Sequence, residues 1–213
     1  MKLPVSRRRI DGKDGAMSPE LTDNSIGPYR IYHLLVSLVI AALVIVIYSG
    51  TLDASFHLDD FNQITGNPLI RSLDNLYLLL TSTDRGLSKA TFALNYAYGG
   101  FDVTGYHVVN IAIHILNSIL VYFVLLLMFL RVPGISARAA RLAFFSAIIF
   151  AAHPIQTQAV TYITQRQETL SAFFFLFSLL FFLLALSSSS RAKRVILYAA
   201  VPLCYLLAFF SKE

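Results

Sequence analysis

Asp59 and Asp60 stand side by side in the segment Phe56-His57-Leu58-Asp59-Asp60-Phe61. A carboxylate can act as general base on a hydroxyl or supply oxygen ligands to a divalent metal. Adjacent residues cannot point in one direction on a strand or a helix. One of the pair is therefore expected to face a pocket and the other to bond backbone or a cation. The pair equally suits a capped turn, because Asp readily caps helices and opens turns. His57 beside it is a further candidate.

A second polar cluster is His153-Pro154-Ile155-Gln156-Thr157-Gln158, followed by Gln165-Arg166-Gln167-Glu168. Proline disfavours helix in the residue before it, so His153 is expected to end a helix. Beyond it, Gln158, Tyr162 and Arg166 have i+4 spacing, which predicts one polar helix face. Arg166 has the chemistry to bind a phosphate, or it can snorkel from an interfacial helix. His153 and Glu168 are further candidates. His107 and His114 are seven apart, as are Asn110 and Asn117. Such a stripe on an apolar helix faces protein rather than lipid, and its expected role is hydrogen bonding between helices.

The elements that must position these groups are apolar blocks. Hydrophobic residues are 56% of the 213 and charged residues 14%, against roughly a quarter charged in an ordinary soluble domain. The reading is an all-α polytopic membrane protein with about five transmembrane helices. The spans fall near 32–48, 108–130, 139–152, 170–186 and 195–210, each near the ~20 residues that cross ~30 Å of hydrocarbon, allowing for tilt and snorkelling. The start does not resemble a cleaved signal peptide, because its polar leader is long and the apolar stretch after it exceeds an h-region. Cys204 is the single cysteine and has no intrachain partner.

The net charge of +5 does not indicate nucleic acid, because the basic residues flank the apolar blocks. Lys2, Arg7, Arg8, Arg9, Lys13, Arg30, Arg131, Arg138, Arg141, Arg191, Lys193 and Arg194 fall on one side. Arg71, Arg85, Lys89, Arg166 and Lys212 fall on the other. The positive-inside rule then puts the N-terminus in the cytoplasm and the long first loop, residues 51–105, outside. That loop holds six Asp against three basic residues. Within it, Leu73–Thr81 and Ser88–Tyr98 are expected as short interfacial helices, the second broken by Gly99-Gly100. Residues 1–30 read as a disordered basic leader, and no internal repeat is present.

The runs FHLDDFNQITGNPLI, GYHVVNIAIHILN, HPIQTQAVTYITQRQETLSA and FFSKE occur in this order. Together they resemble the N-terminal membrane module of the transmembrane and tetratricopeptide-repeat proteins. Those are O-mannosyltransferase-like glycosyltransferases of the GT-C fold. The resemblance covers about Phe56 to Glu213, within a module drawn as residues 31–213. It implies transfer of a sugar, mannose above all, from a polyprenyl-phosphate donor to a protein or glycan hydroxyl, with inversion. Asp59 or Asp60 would deprotonate or orient the acceptor. Arg166 and Lys212, with Arg85 and Lys89 behind them, would supply positive charge to the leaving phosphate. His153 would hydrogen-bond the donor or simply end its helix. A divalent metal is open, since some GT-C enzymes use one. The resemblance also points to a bacterial inner membrane. Family members continue into further spans and then repeats, whereas this sequence stops at Ser211-Lys212-Glu213, so a front part or a shortened product is expected. The alternative function is a non-catalytic anchor or assembly module for a repeat domain.

Overall fold

The computed structural model describes residues 30–82 and 84–212. The basic leader lies outside them. Among the described residues there are helices and turns and no strand. The helices are α1 (Arg30–Tyr48), α2 (Leu76–Ser82), α3 (Gly86–Gly99), α4 (Val103–Leu130), α5 (Ala139–Ala152), α6 (Gln156–Thr161), α7 (Arg166–Ser187) and α8 (Arg191–Lys212). Among the described residues, four segments are long and apolar enough to cross a membrane: Arg30–Thr51, Val103–Phe129, Ile163–Ser187 and Arg191–Lys212. The expected span at 139–152 is present as α5, but its 14 residues rise only about 21 Å. That is short of the ~30 Å hydrocarbon thickness.

Pro154 ends α5. His153 is extended, at φ −66° and ψ 130°, as the residue before a proline prefers. One face of α5 carries Ala139, Ala143, Ala147 and Ala151 at every fourth position, all buried. Small residues at this spacing let helix backbones approach closely. Val36 and Ile40 of α1 and Tyr122 and Leu126 of α4 share one core cluster with Ala139, Ala143 and Ala147. His33 Nδ1 and the Tyr122 hydroxyl, 2.7 Å apart, tie α1 to α4 within this layer. Helices α7 and α8 form an antiparallel pair, closed at its turn end by Arg131. That side chain donates to the Leu127 carbonyl, to the Leu183 carbonyl at 2.7 Å and to the Ser187 hydroxyl. A cation at two helix C-termini answers both their unpaired carbonyls and their dipoles.

The first loop is a folded cap with its own apolar core. Ile64, Ile70, Leu79, Phe92 and Ala93 pack with Tyr106 of α4 and Ile163. Burying each of the larger side chains stabilises by about 1.5–3 kcal/mol, so the loop is held in place by packing. Gly86 opens α3 because a Cβ there would sit 2.4 Å from the Leu79 carbonyl oxygen. Gly100, at φ +60°, ends α3, and Asp102 caps α4 by accepting from Thr104 N–H at 3.1 Å.

Tyr162, Gln158 and Arg166 do not share one helix face, contrary to their spacing. Helix α6 stops at Thr161, Tyr162 is extended, and α7 starts at Arg166 after a 3-10 turn over Ile163–Gln165. Buried backbone that leaves a helix needs other partners for its carbonyls. Helix α4 supplies them from its polar stripe. Asn110 Nδ2 donates to the carbonyls of Val160 and Ile163 at 3.3 Å and of Tyr162 at 3.5 Å. His114 Nε2 lies 3.1 Å from the Ala151 carbonyl, and Asn117 Nδ2 donates to Thr169 O at 2.8 Å. His107 Nε2 lies 2.9 Å from the Ala54 carbonyl. His114 and Asn117 thus bond neighbouring helices as expected of the stripe, while His107 and Asn110 mainly hold connections.

Candidate functional site

Asp59 and Asp60 part company at the left-handed turn of Leu58, whose φ is +51°. This conformation is strained for a leucine, and such residues cluster at functional sites. Asp60 turns inward and is 0% exposed. Its Oδ1 accepts from Thr164 N–H at 2.8 Å and from the Thr164 hydroxyl, and its Oδ2 accepts from His57 N–H at 3.2 Å. These charge-assisted bonds fasten the first loop to the α6–α7 junction. Asp60 was a candidate base by type. Its oxygens are instead occupied by protein donors and closed to solvent.

Asp59 turns outward and is exposed. Its N–H donates to the Tyr162 hydroxyl oxygen at 2.8 Å. The Tyr162 ring stacks on His57, with centroids 4.7 Å apart and planes at 23°. Burial pushes the Tyr162 phenol above its usual range, and the charges of Asp59 and Asp60 add to the rise. The half-exposed His57 ring lies 3.9 Å from Asp60 Oδ2 and 3.2 Å from the Ser55 carbonyl. Leu58 and Phe61, both exposed, flank Asp59. The expectation that the two carboxylates have different tasks is thus realised as one open acid and one lock.

Arg166, a candidate phosphate ligand by type, is fully buried. Nε donates to Asn110 Oδ1 at 2.7 Å. One terminal nitrogen donates to Thr91 Oγ1 at 3.2 Å and Asn95 Oδ1 at 2.6 Å, and the other to the Tyr106 carbonyl at 2.9 Å. The guanidinium carbon lies 4.6 Å from the Phe92 ring centroid and 5.7 Å from that of Tyr106. A planar fork with five donors here joins α3, α4 and α7, and its burial leaves no open face for a phosphate.

The remaining cations gather where α3 meets the end of α8. Ser88 Oγ donates to the Ser211 carbonyl at 2.6 Å and Arg85 Nε to the Lys212 carbonyl at 3.0 Å. Lys89 Nζ donates to Asp84 Oδ1 at 2.8 Å, and Lys212 Nζ pairs with Glu168 Oε2 at 3.1 Å. Arg85 has a left-handed backbone, φ +55°, and lies 3.9 Å from Asp84 Oδ2. His153 stands apart from both groups. It is exposed, and its Nδ1 accepts from Ile155 N–H at 3.2 Å, which closes the turn after α5.

The Lys89 hydrogen bond holds the Asp84 carboxyl below the usual range, against burial, with the Lys89 and Arg85 charges adding to the lowering. A depressed folded pKa contributes stability above the ordinary Asp value that is lost as pH falls through the folded one. Lys89→Met is therefore expected to lower stability at neutral pH by under about 1 kcal/mol. The gap should close as pH drops below about 4. Thermal midpoints of both proteins across that range check it, and a gap that widens in acid contradicts it.

Among the described residues no three His, Cys, Asp or Glu side chains group as a metal site. Both Asp60 oxygens are taken up by Thr164 and His57 N–H, which leaves the Asp59 carboxylate and the His57 ring as the open polar groups of the pair. Tyr162, Thr164 and Asp84 were not singled out as site residues by the sequence. Asp60 and Thr164 are 104 positions apart, and no local pattern announces such a contact.

The chain is 32% identical over 174 residues to the human protein O-mannosyl-transferase TMTC4, covering 72% of this chain and 24% of that protein. It is 32% identical over 157 residues to the protein O-mannosyl-transferase F38B6.6 of Caenorhabditis elegans, covering 67% of this chain and 22% of that one. Against Drosophila melanogaster Tmtc3, also a protein O-mannosyl-transferase by name, identity is 28% over 210 residues, covering 85% and 23%. The chain thus spans about a quarter of the length of these curated relatives. No protein-family model matches it, and no solved structure does. At this identity over more than two thirds of its length, the chain belongs to the family of membrane proteins whose curated members are named protein O-mannosyl-transferases.

Proposed function

We propose that this chain forms the first-loop half of a glycosyl-transfer site in a membrane O-mannosyl-transferase. In this reading a sugar, mannose above all, passes from a polyprenyl phosphate to a hydroxyl of a protein or glycan. The observation that carries it is the division of labour in the acidic pair: Asp60 is buried as a lock, and Asp59 is held open beside exposed Leu58 and Phe61. Asp59 takes the proton of the acceptor hydroxyl. The acceptor oxygen bonds to the anomeric carbon from the face opposite the phosphate, and the bond from that carbon to the phosphate oxygen breaks. Inversion and a free polyprenyl phosphate result. The leaving phosphate gains negative charge, which nearby cations favour. Lys212, Arg85 and Lys89 at the α3–α8 contact are the groups proposed for it, and Arg166 is not.

The charge distribution supports a sidedness. The end of the bundle away from Asp59 carries Arg30, Arg131, Arg138, Arg141, Arg191, Lys193 and Arg194, with no Asp or Glu among the described residues there. The positive-inside rule supports a cytoplasmic location for that end and an extracytoplasmic one for the site. The relatives come from animals, so the expected bacterial inner membrane gains no support from them.

The test is transfer of tritiated mannose from a polyprenyl-phosphate donor to protein, in membranes carrying the full-length protein. Label above that of membranes lacking the protein is the expected result. No increment, with the protein present and folded, would overturn the reading in favour of an anchor or assembly module.

A further inference from the structure

The Tyr162 hydroxyl oxygen accepts the Asp59 N–H at 2.8 Å, a contact between residues 103 positions apart. That bond fixes the backbone from which the Asp59 carboxylate projects. The phenol is itself immobilised. It is 7% exposed, its ring is stacked on His57, and its carbonyl receives Asn110 Nδ2. Two residues on, Thr164 clamps Asp60. The segment from Tyr162 to Thr164 therefore holds both residues, Asp59 by its backbone N–H and Asp60 by its carboxylate.

We propose that Tyr162 is a positioning residue for the Asp59 carboxylate, fixing its direction toward the acceptor hydroxyl. This rests on Asp59 being the base. Without the hydroxyl, the Asp59 N–H loses its acceptor, and the backbone that aims the carboxylate is no longer fixed. The ring alone would still stack on His57, so the aromatic packing and the hydroxyl can be separated by substitution.

The experiment uses Tyr162→Phe, Asp59→Asn and the double variant in the full-length protein, read by transfer from a polyprenyl-phosphate mannose donor. Tyr162→Phe is expected to lower kcat about tenfold with little change in donor KM, since misplacing a base affects the chemical step. Combined with Asp59→Asn it should cost nothing further, because both changes act through one group. Wild-type kcat in Tyr162→Phe would overturn the proposal. So would a Tyr162→Phe protein that does not fold, which would assign the hydroxyl to the fold. If Asp59→Asn itself keeps full activity, the base assignment fails, and that result is distinct from a failure of Tyr162 alone.

Discussion

Asp59→Asn in the full-length protein is expected to lower mannosyl transfer by about 10²–10⁴-fold, the usual contribution of a positioned general base. Membrane insertion and thermal midpoint should stay at wild-type values. The reason is local. The Asp59 carboxylate is exposed, and the backbone bond to Tyr162 uses the Asp59 N–H, which asparagine keeps. Asp60→Asn is expected to behave differently, because an amide replaces one accepting oxygen with a donor in a site built of donors. Thr164 N–H, the Thr164 hydroxyl or His57 N–H would then face an NH₂ group. Leaving one such buried group unsatisfied costs about 1–3 kcal/mol. Asp60→Asn should therefore lower the thermal midpoint and lose activity as a consequence. The two substitutions are best compared as rate per folded molecule. If Asp60→Asn folds as wild type and alone abolishes transfer, the roles assigned to the pair are reversed.

Arg166→Leu is expected to destabilise the fold by about 3–5 kcal/mol, from several buried acceptors orphaned together. Asn110 Oδ1, Asn95 Oδ1, Thr91 Oγ1 and the Tyr106 carbonyl all lose a charged donor. A leucine would fill part of the space and satisfy none of them. Arg166→Lys keeps the charge but not the fork, so an intermediate loss is expected. Asn110 also holds the carbonyls of the α6–α7 break, and its release should loosen the segment that carries Tyr162 and Thr164. Thermal unfolding of the purified full-length protein measures this. If Arg166→Leu keeps the wild-type midpoint and only raises the donor KM, Arg166 belongs to the phosphate site after all.

Much of the architecture was legible because it depends on local composition. Apolar runs gave the long helices, since hydrocarbon thickness sets their length. The His107, Asn110, His114 and Asn117 stripe announced a protein-facing side of α4, because polar groups do not face lipid unaided. His153-Pro154 marked the end of α5 by backbone sterics. The i+4 spacing of Gln158, Tyr162 and Arg166 failed for a nonlocal reason. Helix α4 offers side-chain donors to the carbonyls there, so the chain can leave the helix at Tyr162 with its backbone bonded.

The amino-acid sequence by itself determined an all-α membrane protein with a folded acidic first loop. It also determined the residue types able to act as base and as phosphate partners. These follow from hydrophobicity, charge and spacing along the chain. Only the tertiary structure decided that Asp59 is open and Asp60 closed, that Arg166 is interior, and that Lys212 meets Arg85 and Glu168. Such outcomes depend on contacts between residues far apart in the chain, such as Asp59 with Tyr162 and Arg85 with Lys212. Two neighbouring carboxylates of the same chemistry receive different tasks only when packing buries one and leaves the other to solvent.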